Sequence, residues 1–390
     1  MSGRPLLNRR LDGLGTTIFA EMSALATATG AINLGQGFPD TDGPESVREA
    51  AVRALRDGRG NQYPPGPGVP ELRAAIAGHQ RRFYGQVHEL DPDTDVLVTA
   101  GATEAIAASM LAFLEPGDEV IAFEPFYDSY AACVAMAGAK RVPLTLRAPS
   151  FRPDLDRLRD LITPRTRLLL LNSPHNPTGM VLTAEERTAI AALAVEHDLL
   201  VVTDEVYEHV VFDGDHVPLA TLPGMRERTV AISSAGKTFS FTGWKVGWAM
   251  GDARLVAAVR TAKQFLTYVS SGPFQYAVAE ALRLPDAYFA TLTADLRRRR
   301  DLLADGLGAA GFQVYRPAGT YFVTTDIAPF GERDAYAFCR ALPERCGVVA
   351  VPNSVFYDDP EAGRSQVRFA FCKRDDVLKE AADRLRTLGG

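Results

Sequence analysis

Between residues 95 and 251 six short apolar runs recur, each bounded by turn residues: DVLVTA, EVIAFEP, RLLLLNSP, LLVVTDE, TVAISS and KVGWAMG. Runs of this length without polar alternation read as strands buried on both faces, the pattern of a mostly parallel sheet covered by helices. GATEAIAASMLAFL, with helical spacing, follows the first run and is stopped by Glu115, Pro116, Gly117 and Asp118. The first strand, this helix and the second strand therefore read as a βαβ unit. TAEERTAIAALAVEHD supplies another helix between the third and fourth runs. The expected fold class is α/β, with a large layered domain over residues 46–284.

After about residue 285 the texture changes to a charged helix, ADLRRRRDLLADGLGAAG, short strands such as TYFVTTD and QVRFAFC, and a last amphipathic helix. That pattern suits a smaller α+β domain over residues 285–390, with residues 1–45 as an N-terminal arm that also contributes to it. A chain of 390 residues is long enough for this arrangement and for a deep site. Its formal charge of −6 lacks the basic surplus that nucleic-acid binding needs. Cys133, Cys339, Cys346 and Cys372 are scattered without a C-x-x-C pair. Neither a zinc site nor a disulfide framework is expected, no metal is assigned, and a reducing cytoplasm fits. Glu21 and polar neighbours break the apolar run behind Arg4, Arg9 and Arg10, so no signal peptide or membrane span is expected.

In open α/β sheets ligands gather at the carboxyl ends of strands. Gly101, Ala102 and Thr103, then Asn172 to Gly179, Asp204 to Tyr207, and Ser234 to Lys237 all follow such strands. Lys237 admits three chemistries. A phosphate-loop lysine would need a glycine where Ala231 stands and a helix where the aromatic, glycine-broken FSFTGW follows. Ser234 and Lys237 as an S-x-x-K pair lack the accompanying K-T-G and S-D-N elements. Pyridoxal phosphate explains more residues, since it needs a lysine, an acid at its ring nitrogen and a phosphate cradle. Asp204 suits the ring nitrogen, although an Asp after a strand is often a helix cap. Tyr207 reaches toward the phenolic oxygen, and Gly101, Ala102 and Thr103 offer N–H groups and a hydroxyl at a helix N-terminus.

SSAGKTFSFTGWKVGW, NSPHNPTG, TDEVYE, NLGQGFPD, NQYPPGPG and VRFAFCK together resemble the class I/II aminotransferases of the fold-type-I pyridoxal phosphate enzymes. The resemblance is greatest to the branch of kynurenine/glutamine transaminases, methionine aminotransferases and N-succinyldiaminopimelate aminotransferases. It implies that Lys237 joins the cofactor aldehyde and then carries a proton at the substrate α-carbon. It implies roles at the ring for Asp204, Tyr207, Asn172 and Asn176, and a stacking role for Phe126, which plain core packing would equally explain. Gly101, Ala102, Thr103, Ser234 and Lys245 match phosphate-contacting positions, with a lysine at 245 where an arginine is common. Arg368 would fork onto the substrate α-carboxylate, with Gly37 and Asn176 completing that place; outside such a motif, an arginine in a strand usually snorkels to the surface. Tyr63 matches a residue that crosses a homodimer interface to the partner's phosphate.

The bonds Glu124–Pro125 and Asn176–Pro177 match ones that are often cis in relatives. Ping-pong transfer of an amino group to a 2-oxo acid follows. Phe19, Phe38, Tyr127 and Tyr268 suggest a pocket for neutral amino acids such as methionine, glutamine, kynurenine or phenylalanine, unless they are core. Succinyldiaminopimelate is the alternative substrate, and cysteine-conjugate β-lyase chemistry a side activity. A transcription regulator on the same fold would need a DNA-binding module ahead of residue 16, where the resemblance begins.

Overall fold

The computed structural model describes residues 6–15, 17–85 and 89–389. Helix α1 (Ile18–Thr29) starts where the Thr17 hydroxyl accepts from the Ala20 N–H and ends on Gly30 in the left-handed conformation, the usual way to close a helix. Strand β1 (Ile32–Asn33), α2 (Glu45–Arg56) and α3 (Pro70–Tyr84) follow. The central sheet is built from β2 (Val96–Thr99), β3 (Glu119–Glu124), β4 (Lys140–Thr145), β5 (Thr166–Asn172), β6 (Leu200–Asp204), β7 (Thr229–Ser234) and β8 (Gly247–Gly251). Their order is β2-β8-β7-β6-β5-β3-β4, parallel except where β8 runs against both its neighbours. Every residue of β2, β3, β7 and β8 is buried, as expected of strands covered on both faces.

One expectation needs correction. The run DVLVTA and the run EVIAFEP are not a closed βαβ pair, because β2 lies at one edge of the sheet and β3 beside the other. Helix α4 (Gly101–Phe113) packs across β6, β7 and β8 and carries the chain over them. As a result the turn after β2 sits beside the approach to β8. A Cβ on Gly247 would stand 2.5 Å from the Gly101 carbonyl carbon, so the two chains meet backbone to backbone.

A second sheet, antiparallel in the order β12-β13-β10-β9, is made by β9 (Gln313–Tyr315), β10 (Phe322–Asp326), β12 (Val351–Pro352) and β13 (Gln366–Ala370). Strand β11 (Val348–Val349) pairs in parallel with β1, so the N-terminal segment is stitched to the last third of the chain. Ile18, Met22 and Leu34 share one apolar core with Leu303, Val348, Phe369 and Leu378. All four cysteines are free, and only Cys346 is not fully buried. Glu124–Pro125 and Asn176–Pro177 are both cis, as are Ala148–Pro149 and Ser173–Pro174. Among the described residues no helix is long and apolar enough to cross a membrane.

Candidate active site

Gly101, Ala102 and Thr103 after β2, Asn172 and Asn176 around the end of β5, Asp204 and Tyr207 around the end of β6, Ser234 at the end of β7 and Lys237 beyond it line one cavity of about 160 Å³. Lys245 stands at the same wall. Gly101 allows this. Its φ is +76°, and a Cβ there would lie 3.2 Å from Lys245 Nζ, so the missing side chain leaves room for the ammonium. Helix α4 begins at this turn without a side-chain cap. Its first N–H groups, together with the positive end of its dipole, favour an anion there.

Asp204 is buried and accepts from the Tyr130 hydroxyl at 2.7 Å and from the Val206 N–H at 3.3 Å. Burial raises its carboxyl, while those two donors and the Lys237 ammonium act to lower it. Burial likewise lowers the Lys237 ammonium from the ordinary lysine value, with Arg368 and Lys245 pushing the same way and Asp204 opposing. The Tyr207 phenol is raised by burial. Asn172 is fixed at both ends of its amide, donating to the Asp204 carbonyl at 2.8 Å and accepting from the Asn176 N–H at 2.7 Å. The Asp204 segment and the Asn176 turn are thereby locked in register.

Arg368 and Gly37 stand outside this cavity wall but are joined to it. Arg368 Nη1 donates to Asn176 Oδ1 at 3.0 Å and Nη2 to the Gly35 carbonyl at 2.9 Å, while its guanidinium lies 4.0 Å from the Phe322 ring centre. Its Nε is buried without a partner, and burial pulls the group down to about 10, still cationic at neutral pH. The Gly37 carbonyl accepts from Tyr321 at 2.6 Å, and the Tyr321 ring meets Tyr207 edge-on at 5.1 Å. Lys373 Nζ holds the next carbonyl, that of Phe38, at 2.8 Å.

Phe126 is corrected by one position. It sits in the core beneath the Arg141 guanidinium, 3.8 Å from its ring centre, and does not line the cavity. Tyr127 does, alongside Thr103. Successive residues of an extended segment point to opposite sides, so an offset of one exchanges the core ring for the site ring. Tyr63 is not part of the cavity of its own chain; it is 80% exposed and packs edge-on against Tyr268 at 5.4 Å. Phe38 lies under Lys373, and neither it nor Tyr268 lines the cavity that adjoins the first.

That cavity, of about 680 Å³, shares Thr103 and Tyr127 with the first and is walled by Phe19, Phe356, Glu21 and Asp128. Among the described residues no lysine or arginine lines it. Sequence reasoning missed Tyr130, Thr242 and Tyr321. Tyr130 carried a signal, three residues after Tyr127 at the start of a helix; Tyr321 carried none, since it arrives from another sheet.

Among the described residues Asp204 is the one carboxylate lining the first cavity, against Lys237, Lys245 and the adjoining Arg368. Such a surplus of positive charge calls for anions. A phosphate at the α4 turn and a substrate carboxylate at Arg368 would supply them, and Asp204 suits a protonated ring nitrogen between them. The residues therefore fit pyridoxal phosphate.

A probable N-succinyldiaminopimelate aminotransferase of Mycobacterium tuberculosis is 56% identical over 97% of this chain and 98% of its own. The solved structure of N-succinyldiaminopimelate aminotransferase from that organism superposes with a TM-score of 0.95 over 98% of this chain and all of the other, also at 56% identity. The methionine aminotransferase of Escherichia coli is 41% identical over both full lengths, and a solved E. coli methionine aminotransferase gives a TM-score of 0.93 over 98% of this chain and 100% of that one. Kynurenine–oxoglutarate transaminase 3 of Mus musculus is 37% identical over 97% of this chain and 89% of its own. The family model for aminotransferase class I and II matches residues 29–385. The chain thus belongs to the class I and II aminotransferases, and it is a transaminase that depends on pyridoxal 5'-phosphate.

Proposed function

We propose that the enzyme moves the α-amino group of a neutral L-amino acid, of the methionine, glutamine, kynurenine or phenylalanine type, to a 2-oxo acid by ping-pong exchange. The observation that carries the substrate reading is the cavity beside the site, walled by Phe19, Phe356 and Tyr127 with Glu21 and Asp128 and without a described basic side chain. Glu21 is already paired with Arg340, so a second carboxylate on the substrate would meet the Asp128 carboxylate with no described basic side chain in the lining to receive it, which disfavours it. When bound, pyridoxal phosphate supplies an electrophilic ring that accepts the electrons of the bond broken at the α-carbon.

This chain's residues do the rest. Lys237 anchors the cofactor and moves a proton at the α-carbon; Asp204, oriented by Tyr130, keeps the ring nitrogen protonated. Tyr207 and Asn176 hold the phenolic oxygen, with Asn172 fixing Asn176. Gly101, Ala102, Thr103, Ser234 and Lys245 hold the phosphate, and Arg368 with Asn176 and Gly37 holds the substrate carboxylate. We further propose a cytoplasmic homodimer in which Tyr63 reaches the partner's phosphate; its exposed ring beside exposed Tyr268 is apolar surface of the kind that interfaces cover. We also propose a division into an N-terminal arm (residues 1–45), a large domain (46–284) built on the seven-stranded sheet and a C-terminal small domain (285–390) built on the four-stranded one.

A second reading, N-succinyldiaminopimelate as donor, is favoured by the relative at 56% identity that carries that name. A panel of amino donors with 2-oxoglutarate or pyruvate separates them. Turnover of methionine or phenylalanine well above that of N-succinyldiaminopimelate is expected. The reverse, with negligible turnover of both neutral donors, overturns the preference.

The ring assignment has its own test. Tyr127→Ala is expected to weaken cofactor retention, read from the visible absorbance after dialysis, with little loss of thermal stability. Phe126→Ala removes a buried ring and is expected to cost about 3–5 kcal/mol of stability while sparing cofactor affinity. The opposite pairing of effects would restore Phe126 to the site.

A further inference from the structure

Ser233 and Ser234 are neighbours on β7 and face opposite sides. Ser234 lines the active-site cavity; the Ser233 hydroxyl donates to Glu208 Oε1 at 2.7 Å on the other side. There His79 of α3 meets Glu208 and His209, and the ligand atoms of the three lie within 4.8 Å of one another. The two imidazoles touch through their Nε2 atoms at 2.7 Å.

His79 Nδ1 faces the Leu282 carbonyl at 3.3 Å, and a carbonyl only accepts, so the proton is on Nδ1 and Nε2 keeps its lone pair. Glu208 is oriented by three donors: Ser233, the Tyr84 hydroxyl at 2.8 Å and Gln80 Nε2 at 3.2 Å. Imidazole N–H to backbone carbonyl, and hydrogen-bonded carboxylate, are the outer contacts that metal ligands carry. His79 and Glu208 are buried, whereas His209 is half-buried and opens, with Glu208, onto a cavity of about 610 Å³. That cavity gives an ion a way in and a place for water.

We propose that His79, His209 and Glu208 bind one divalent cation of borderline softness, with Zn²⁺ the best fit and water from the open cavity as fourth ligand. In the metal-free state His209 Nε2–H donates to His79 Nε2. On binding, His209 releases that proton and takes one at Nδ1, so no net proton is lost. The two nitrogens separate to about 3.3 Å, as Zn–N bonds of about 2.0–2.1 Å in a tetrahedron require. Half-buried His209 is the partner that moves.

The test uses tag-free holoenzyme, stripped with a chelator and titrated with Co²⁺ and then Zn²⁺. One Co²⁺ per chain with the visible d–d bands of a four-coordinate site, displaced by Zn²⁺, is expected. His79→Gln is expected to weaken Zn²⁺ by at least about tenfold, since loss of even an outer partner costs about that much, and to leave transamination in place. His209→Gln, at the more open position, is the second variant and is expected to lose as much. No stoichiometric uptake by the unaltered protein, or affinities unchanged in both variants, would reduce the cluster to a hydrogen-bonded imidazole pair packed between Phe83 and Phe289.

Discussion

Lys237→Ala is expected to lower transamination by at least about 10³-fold, because proton transfer by a placed side chain alone contributes about 10²–10⁴-fold and the covalent anchor is lost as well. The ammonium is placed for this role, in the wall it shares with Asp204, Tyr207 and Ser234 and 5.8 Å from the Tyr207 ring centre. Burial lowers it toward the free amine, the form that attacks an aldehyde. A single-turnover assay with cofactor in excess measures the loss, and absorbance of the purified protein shows whether cofactor is still held covalently. Turnover at the normal rate in this variant would remove the central assignment.

Arg368→Lys carries the second large effect. Two parallel charge-assisted hydrogen bonds to a carboxylate, at about 1.5–3 kcal/mol each, make a loss of about 10²-fold or more in kcat/KM the expected result. Lysine keeps the charge but not the fork or the stacking on Phe322. Loss of orientation at the α-carbon appears in kcat, loss of ground-state binding in KM, and cofactor absorbance should stay unchanged. A variant that merely loosened the sheet would lower thermal stability and affect every substrate equally, decarboxylated amines included. Unchanged kcat/KM would place the carboxylate elsewhere.

Much of this site is legible because chemistry sits at the ends of apolar runs. Asp204, Tyr207, Ser234 and Lys237 each follow a strand whose burial the residues themselves announce, and the cavity gathers them. What escaped has physical reasons. Phe126 and Tyr127 are adjacent aromatics, and which one faces the site depends on a half-turn of the chain that composition does not record. The edge position of β2 is set by α4 lying across three strands, a tertiary choice with no local mark. Arg368 pairs in register with Thr324 and Val351 on a different sheet, so only the motif around it pointed inward. His79 and His209 stand 130 positions apart, with no ligand spacing to find.

The grip on Gly35, Gly37 and Phe38 has a consequence for how the enzyme comes into being. Their three carbonyl contacts are made by Arg368, Tyr321 and Lys373, the first across 333 positions of chain. A ribosome emits the N-terminal half of that clasp long before its counterpart exists. The proposed place for the substrate's carboxylate is therefore complete only once Lys373 has been made, and a product cut before Arg368, however well its central sheet has formed, would lack the means to seat an amino acid there.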